Sequence, residues 1–338
     1  GIDLKMFKGR FSFTTDVYRK RTHGLLFSMP IPNYTGFSSY TTNLGEIENK
    51  GIEFSLGGEV LKKKDFSWNV DLNVSVNKNK VIDLPNHTPI VSYASMTYFP
   101  VPGSFYTQEG HPIGELYGLK WTGEVYSTDE IAKAHVTSIM GQAPVGGTLK
   151  YEDYNKDGKI DNNDRQVIGS TFPKFFGGFN TNLNYKNFDL GLQFAFTYGN
   201  KMFNQMRFLS SRGFCYDAAR VERINAWSKP GDITTEHQVL TNTDTRNNQF
   251  SSKYVEDGSY LRLQNLSLGY TIDKKTTQLL KLKSARVYFS AQNLITLTKY
   301  SGLDPEVNGN SGSIQTQGVD NGVVPQVSTY TFGINVKF

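Results

Sequence analysis

The final segment, residues 328–338, reads STYTFGINVKF and constrains the fold more than any other stretch of this chain. In an extended strand Tyr330, Phe332, Ile334, Val336 and Phe338 project to one face, and Thr329, Thr331, Gly333, Asn335 and Lys337 to the other. A helix would scatter the same residues around its surface. The strand therefore needs one face covered by something apolar and the other left to water, and the chain ends on an aromatic ring.

The two-faced pattern recurs along the chain. Ile2, Leu4 and Met6 alternate with Asp3 and Lys5, and after a turn at Lys8 and Gly9, Phe11, Phe13 and Val17 alternate with Ser12, Thr14 and Asp16. Ile52, Phe54 and Leu56 follow against Glu53 and Ser55. The cleanest strand is 66–77, where Phe66, Trp68, Val70, Leu72, Val74 and Val76 oppose Ser67, Asn69, Asp71, Asn73, Ser75 and Asn77. Segments 175–185 and 188–198 are separated only by Lys186 and Asn187. With less regular segments at 92–108 and 113–122, and others at 255–272 and 284–296, the expected count is eleven strands. A helix is expected only around 216–227.

Connection lengths alternate. Turns near residues 8, 63, 110, 186 and 278 are short, whereas 19–50, 77–91, 123–173, 199–253 and 298–327 are long and rich in loop-forming residues. Short turns on one rim and long loops on the other are the asymmetry of a transmembrane antiparallel β-barrel, with the long loops outside the cell. Several segments reach the ~9–11 residues needed to cross a bilayer at a tilt, longer than the ~5–6 of ordinary sheets. Composition agrees: 38% apolar and 13% aromatic residues, with 32 Gly, and no apolar run near the ~18 residues of a membrane helix. A net charge of +5 with scattered Lys and Arg leaves no nucleic-acid footprint. The lone Cys215 allows no internal disulfide. An odd strand number and an opening inside a strand-like run make the chain read as the C-terminal part of a longer polypeptide, since bacterial single-chain barrels have even numbers.

Four segments together resemble the SusC/RagA family of TonB-dependent outer-membrane transporters of Bacteroidetes. They are NLGEIENKGIEF at 43–54, YEDYNKDGKIDNNDRQVIGSTFPKFFGG at 151–178 with the YKNFDLGLQFAFTYGN that follows, YLRLQNLSLGY at 260–270, and ARVYFSAQNLITLTKYSGLDPEV at 285–307. The resemblance implies a 22-stranded barrel, of which about eleven C-terminal strands are here, without the plug domain. It further implies a SusD-like surface lipoprotein as lid, TonB engaged through the missing N-terminal part, and import of glycan or peptide fragments (oligosaccharide or oligopeptide) across a lipid outer membrane. A passive porin and a surface adhesin or structural barrel are the rival expectations.

The sharpest chemical motif is DYNKDGKIDNND at 153–164. Asp153, Asn155, Asp157, Asp161 and Asp164 carry side-chain oxygens at loop positions 1, 3, 5, 9 and 12, Gly158 sits at position 6, and Lys159 offers its carbonyl at position 7. This is EF-hand spacing for Ca²⁺, with Asp in place of the bidentate Glu and no flanking helices. An Asx-rich turn holding itself together by side chain to backbone bonds accounts for the same residues. His23, His87, His111, His135 and His237 show no ligand spacing and are read as surface residues. No nucleophile and base constellation appears, so no catalysis and no organic cofactor is expected; Glu53 and Glu59 point into the lumen without a companion site. Trp68, Trp121, Tyr185, Phe188, Tyr330 and Phe338 are expected in interfacial girdles. Tyr34, Phe37, Tyr40, Phe203, Phe208, Phe214 and Tyr216 either stack on sugars, dock a lid, or pack within the loops.

Overall fold

The computed structural model describes residues 1–30, 34, 36–37, 39–93, 105–212, 220–238, 244–306 and 313–338. Among them, nine strands pair in sequence order into one antiparallel sheet: β1 Ile2–Met6, β2 Phe11–Pro30, β3 Ser39–Lys63, β4 Phe66–Asp83, β5 Phe175–Tyr185, β6 Phe188–Tyr198, β7 Tyr260–Thr271, β8 Ser284–Thr298 and β9 Thr329–Lys337. The sheet is a curved stretch of barrel wall, and β1 and β9 are its edges.

Register carries the two-faced pattern across the wall. Leu4, Phe13, Leu56, Leu72, Phe179 and Phe194 are successive cross-strand partners on the outward face. On the opposite face Asp71, Asn180, Gln193, Asn265, Gln292 and Thr329 form an equally continuous row. Aromatic pairs stand at both ends of β4 to β7. At the short-turn rim Phe66 meets Tyr185 at 6.5 Å and Phe188 meets Tyr270 at 4.7 Å between ring centroids, and at the far end of β5 Phe175 stacks on Tyr198 at 5.0 Å. From Phe175 to Tyr185 the strand advances about 34 Å, or about 24 Å across a membrane at a tilt of about 45°, close to the ~25 Å apolar band of such barrels. Trp68 settles its indole N–H within the band by donating to Thr181 Oγ1 at 2.8 Å, since lipid offers no acceptor. On the inward face Tyr18 lies across Gly51 and Tyr288 across Gly333, and a Cβ at either glycine would stand 2.3 Å from the ring.

Among the described residues, two of the eleven expected strands are not in the wall. The described parts of 92–108 and 113–122 contribute three- and four-residue strands, Phe105–Thr107 and Glu115–Gly118, to a separate four-stranded sheet with Ile90–Ser92 and Gln166–Gly169. These are too short to cross a bilayer, and Phe105, Leu116 and Leu119 are fully buried in protein. The expected turn at 110 and the loops at 77–91 and 123–173 therefore belong to one connection, 84–174, between β4 and β5. Much of the expected loop 19–50 is also strand: β2 and β3 run 20 and 25 residues, because outside lipid polar side chains do not stop a ladder from continuing in water. Segment 255–272 divides into Val255–Asp257, paired in a small sheet elsewhere, and β7. The expected helix around 216–227 is replaced by a 3-10 turn at Val221–Asn225, with the helix itself at Gln205–Arg212; residues 213–219, with Phe214, Cys215 and Tyr216, lie outside the described residues.

The apolar cores lie beyond one end of the wall. The described parts of connections 84–174, 199–259 and 299–328 fold together into a cap. One cluster joins Phe105, Leu116, Phe203, Phe208, Phe250, Tyr254 and Val319 from all three. A second gathers Leu119, Tyr126, Ala132, Ile139, Leu149, Tyr151 and Ile160, with Trp121 and Trp227 against it. Trp121 is thus a cap residue rather than part of a girdle, and Phe203 and Phe208 are core side chains unavailable to sugars. A third cluster seats Leu84, Ile90 and Ile113 on Leu25, Ile47 and Val81 at the tops of β2, β3 and β4. Phe194→Arg, which puts a charge on the outward face, is expected to destabilise the barrel by about 2–4 kcal/mol, read as loss of heat-modifiable migration. Asn182→Arg on the inward face is expected to leave migration unchanged.

Candidate functional site

The inward face is a carpet of amides and hydroxyls. Beside the row led by Asp71 runs a second, Asn69, Asn182, Gly191, Ser267, Ser290 and Thr331. Few of these groups are saturated by one another: Ser290 Oγ meets Asn265 Oδ1 at 3.3 Å and Asn184 Nδ2 meets Ser67 Oγ at 3.1 Å. Each primary amide offers two donors and an acceptor, so the wall matches hydroxyl-rich or amide-rich chains without demanding a charge. A concave patch lined by Asp71, Asn180, Asn182, Gln193, Asn265 and Ser267 is its centre. Nearer the short turns, Asp189 and Arg286 form an ion pair, with Nε to Oδ1 at 3.1 Å. Glu53 and Glu59 lie on the inward side, in register with Ser75 and Asn69.

Buried charge joins the cap to this wall. Arg262 of β7, 2% exposed, pairs with Asp304, 3% exposed, and with Glu306 at 3.3 Å. Asp304 also accepts from the backbone N–H groups of Glu306 at 2.9 Å and Gln326 at 3.1 Å. Two stretches of the last connection are thereby held on one wall arginine. Within the cap Lys253 pairs with Glu236 at 3.1 Å and lies 4.7 Å from the Trp121 ring centroid, and Tyr300 donates to Asp320 at 2.7 Å.

The loop carrying the six expected metal-site residues lies in the cap. Asp153 accepts from the N–H groups of Asp157 (3.2 Å) and Gly158 (2.8 Å), Asn155 from Asp157 (3.0 Å), Asp157 from Lys159 (2.9 Å), and Asp161 from Asn163 (2.7 Å). Asp164, fully buried, accepts from Tyr154 at 2.9 Å and Asp161 at 2.8 Å, and burial pushes its carboxyl up. Gly158 adopts φ 77°, the left-handed conformation that glycine takes without strain. The loop is anchored by Lys159–Ile160, paired in parallel with Ser138–Ile139. Among the described residues, the group of three His, Cys, Asp or Glu side chains whose ligand atoms lie within 4.8 Å of one another is a different one, Asp83, His87 and Glu109. Glu109 holds His87 Nδ1 at 2.9 Å and raises its pKa. Asp83 and His87 are four apart in sequence, but nothing in the sequence brings Glu109 to them; the fold does.

His237 departs from the surface reading given to all five histidines. It is fully buried in the cap, with Nδ1 2.6 Å from the Gln238 carbonyl, and burial lowers its pKa from 6.5 to about 3. The other four are exposed.

The chain belongs to the TonB-dependent receptor β-barrel family: the family described as TonB dependent receptor-like, beta-barrel, matches residues 1–294. Over its whole length the chain is 37% identical to TonB-dependent receptor P3 of Formosa agariphila and 27% identical to TonB-dependent receptor SusC of Bacteroides thetaiotaomicron, covering 33% and 31% of those proteins. It thus spans about a third of the length of these curated relatives. Its fold is similar over 99% of the chain, at a TM-score of 0.76 and 24% identity, to 34% of a chain in the structure of the RagAB peptide transporter.

Two outcomes follow for the cap. Asp304→Ala, which leaves Arg262 buried with one exposed partner, is expected to cost about 3–5 kcal/mol, seen as faster hydrogen exchange across 299–306 and 326; Arg262→Met combined with Asp304→Leu is expected to recover part of the loss. The unfolded His237 imidazole takes up a proton below about 6.5 while the folded one does not until about 3, so the cap loses stability as pH falls through that window. Urea melts of the cap at pH 7.5 and pH 5 are expected to show this slope in the wild type and a weaker one in His237→Gln.

Proposed function

We propose that this chain is the C-terminal part of the barrel of an outer-membrane TonB-dependent importer of nutrient oligomers, glycan or peptide fragments, working as the barrel subunit of a SusCD-like complex. The observation that carries the reading is the pair of continuous amide and hydroxyl rows on the inside of a membrane-crossing wall, opening at one end into a cap built from three long connections. Such a face binds neutral polar oligomers weakly at many points, which suits passage rather than storage. Family membership supports the outer membrane and dependence on TonB, and the likeness to SusC supports a surface lipoprotein seated over the cap. The long connections then face outside the cell and the short turns face the periplasm.

The test is uptake by the producing bacterium with the full-length gene deleted, restored, or restored in a strain lacking TonB. Loss of uptake of labelled oligosaccharides or oligopeptides in the first and third strains is the expected result. Uptake that persists without TonB would make the protein a passive porin. Unchanged uptake with lost surface attachment would make it an adhesin.

We also propose that the loop at 153–164 binds Ca²⁺ through Asp153, Asn155, Asp157, the Lys159 carbonyl, Asp161 and Asp164, as a structural ion bracing the cap. Its spacing and the left-handed Gly158 support this reading. Ca²⁺ is expected to protect 153–164 from hydrogen exchange in the full-length protein, with chelator or Asp157→Ala abolishing the difference. Protection indifferent to Ca²⁺ would leave a self-bonded turn.

A further inference from the structure

The outward face of β2, β3 and β4 changes character abruptly. Val17, Ile52 and Val76 are cross-strand partners at the end of the apolar band, and the next outward row is Arg19, Lys50 and Lys78. The row after that is Arg21, Glu48 and Lys80. Five cations thus share this patch with two carboxylates, Glu48 and Glu46. Glu48, with its side chain 4% exposed, accepts from Arg19 Nε at 2.6 Å, Arg21 Nε at 3.0 Å and Lys50 Nζ at 2.7 Å. Glu46 takes Arg21 at 3.5 Å and His23 at 3.2 Å. Among the described residues, Lys78 and Lys80 have no carboxylate partner within ion-pair distance, and both are exposed. Glu48 therefore gathers cations without neutralising the patch.

Depth and shape narrow what this patch meets. From Phe66 to Lys78 strand β4 advances about 40 Å, about 28 Å across a membrane at a tilt of about 45°, so Lys78 stands just beyond the ~25 Å apolar band. A shallow groove runs through the boundary, floored by Val17, Ile52 and Val76 and rimmed by Arg19, Lys50 and Lys78. An apolar floor under a row of cations at headgroup height fits a molecule with an acyl chain and an anionic head. Guanidinium beside ammonium groups suits phosphate, with Arg supplying a planar fork and Lys point charges.

We propose that this groove is a binding site for a phosphate-bearing lipid of the outer leaflet, its headgroup phosphate on Arg19, Lys50 and Lys78 and an acyl chain along Val17, Ile52 and Val76. The inference rests on the membrane orientation proposed above. The site faces lipid, on the opposite side of the wall from the amide carpet, so it anchors the barrel without taking part in passage of cargo.

The experiment uses full-length protein extracted from native membranes and accepted only if it shows heat-modifiable migration, which tests the barrel reading separately from the lipid one. Native mass spectrometry is then run with a bis-phosphorylated disaccharide lipid, its phosphate-free counterpart, and inorganic phosphate. Retention of the phosphorylated lipid is expected, with about 100-fold weaker retention by the R19Q/K50Q/K78Q variant, from the ordinary weight of basic residues at an anionic membrane surface. K8Q/K186Q, at the opposite rim, is expected to bind as the wild type does. Equal retention of the phosphate-free lipid, displacement by inorganic phosphate alone, or full binding by R19Q/K50Q/K78Q in a correctly folded barrel would each overturn the proposal.

Discussion

Inside a membrane a backbone N–H or C=O has no water to bond with, and every feature of this wall follows from that constraint. A ladder of antiparallel strands satisfies the groups in pairs, which makes the sheet continuous from β1 to β9 and leaves each side chain only two directions. One direction is lipid and the other is the aqueous interior. The wall therefore cannot build a protein core of its own, because its apolar side chains already spend their burial on lipid. Even the Trp68 indole, facing outward, is satisfied by a neighbour on β5.

The globular part of the molecule appears where water returns. Three connections that are separate in sequence condense into one cap, with apolar side chains from all three in a single cluster. Attachment to the wall comes from two kinds of contact. Leu25, Ile47 and Val81 continue the strands upward into an apolar seat, while Arg262 reaches from β7 to Asp304 and Glu306. A buried ion pair contributes little net stability against an apolar substitute, yet losing one partner is costly. Arg262 thus serves to fix where the last connection lies, beside the mouth of the amide-lined interior. The outward basic rows serve the other face of the same strands, at the height where lipid tails give way to headgroups.

How much of this was legible varies with length scale. Strands β5, β6 and β9 are readable almost to the residue, since a period of two over nine or more residues has no competing explanation, while β4 runs on from the expected end at 77 to Asp83. Segments 92–108 and 113–122 misled because short core strands also alternate, and alternation does not say what covers the apolar side. Residues 19–50 misled in the opposite sense: Ser, Thr, Asn and Gly predict loop, but β2 and β3 hold each other in register well past the apolar band. His237 gave no signal, because its burial is a product of cap packing, where Arg223, fourteen residues away, donates to its carbonyl. The basic patch was equally hidden, since Arg19, Lys50 and Lys78 are scattered in sequence and become neighbours only through register.

What the sequence alone determined is the face each wall residue presents, and with it a membrane-crossing β-wall with a polar interior, because alternation is a local property of extended backbone. Long-range packing was needed to settle which strands belong to that wall, how three loops become one cap, and which charges meet. Those outcomes depend on pairings between residues tens to hundreds of positions apart, and a local pattern holds no information about its distant partner.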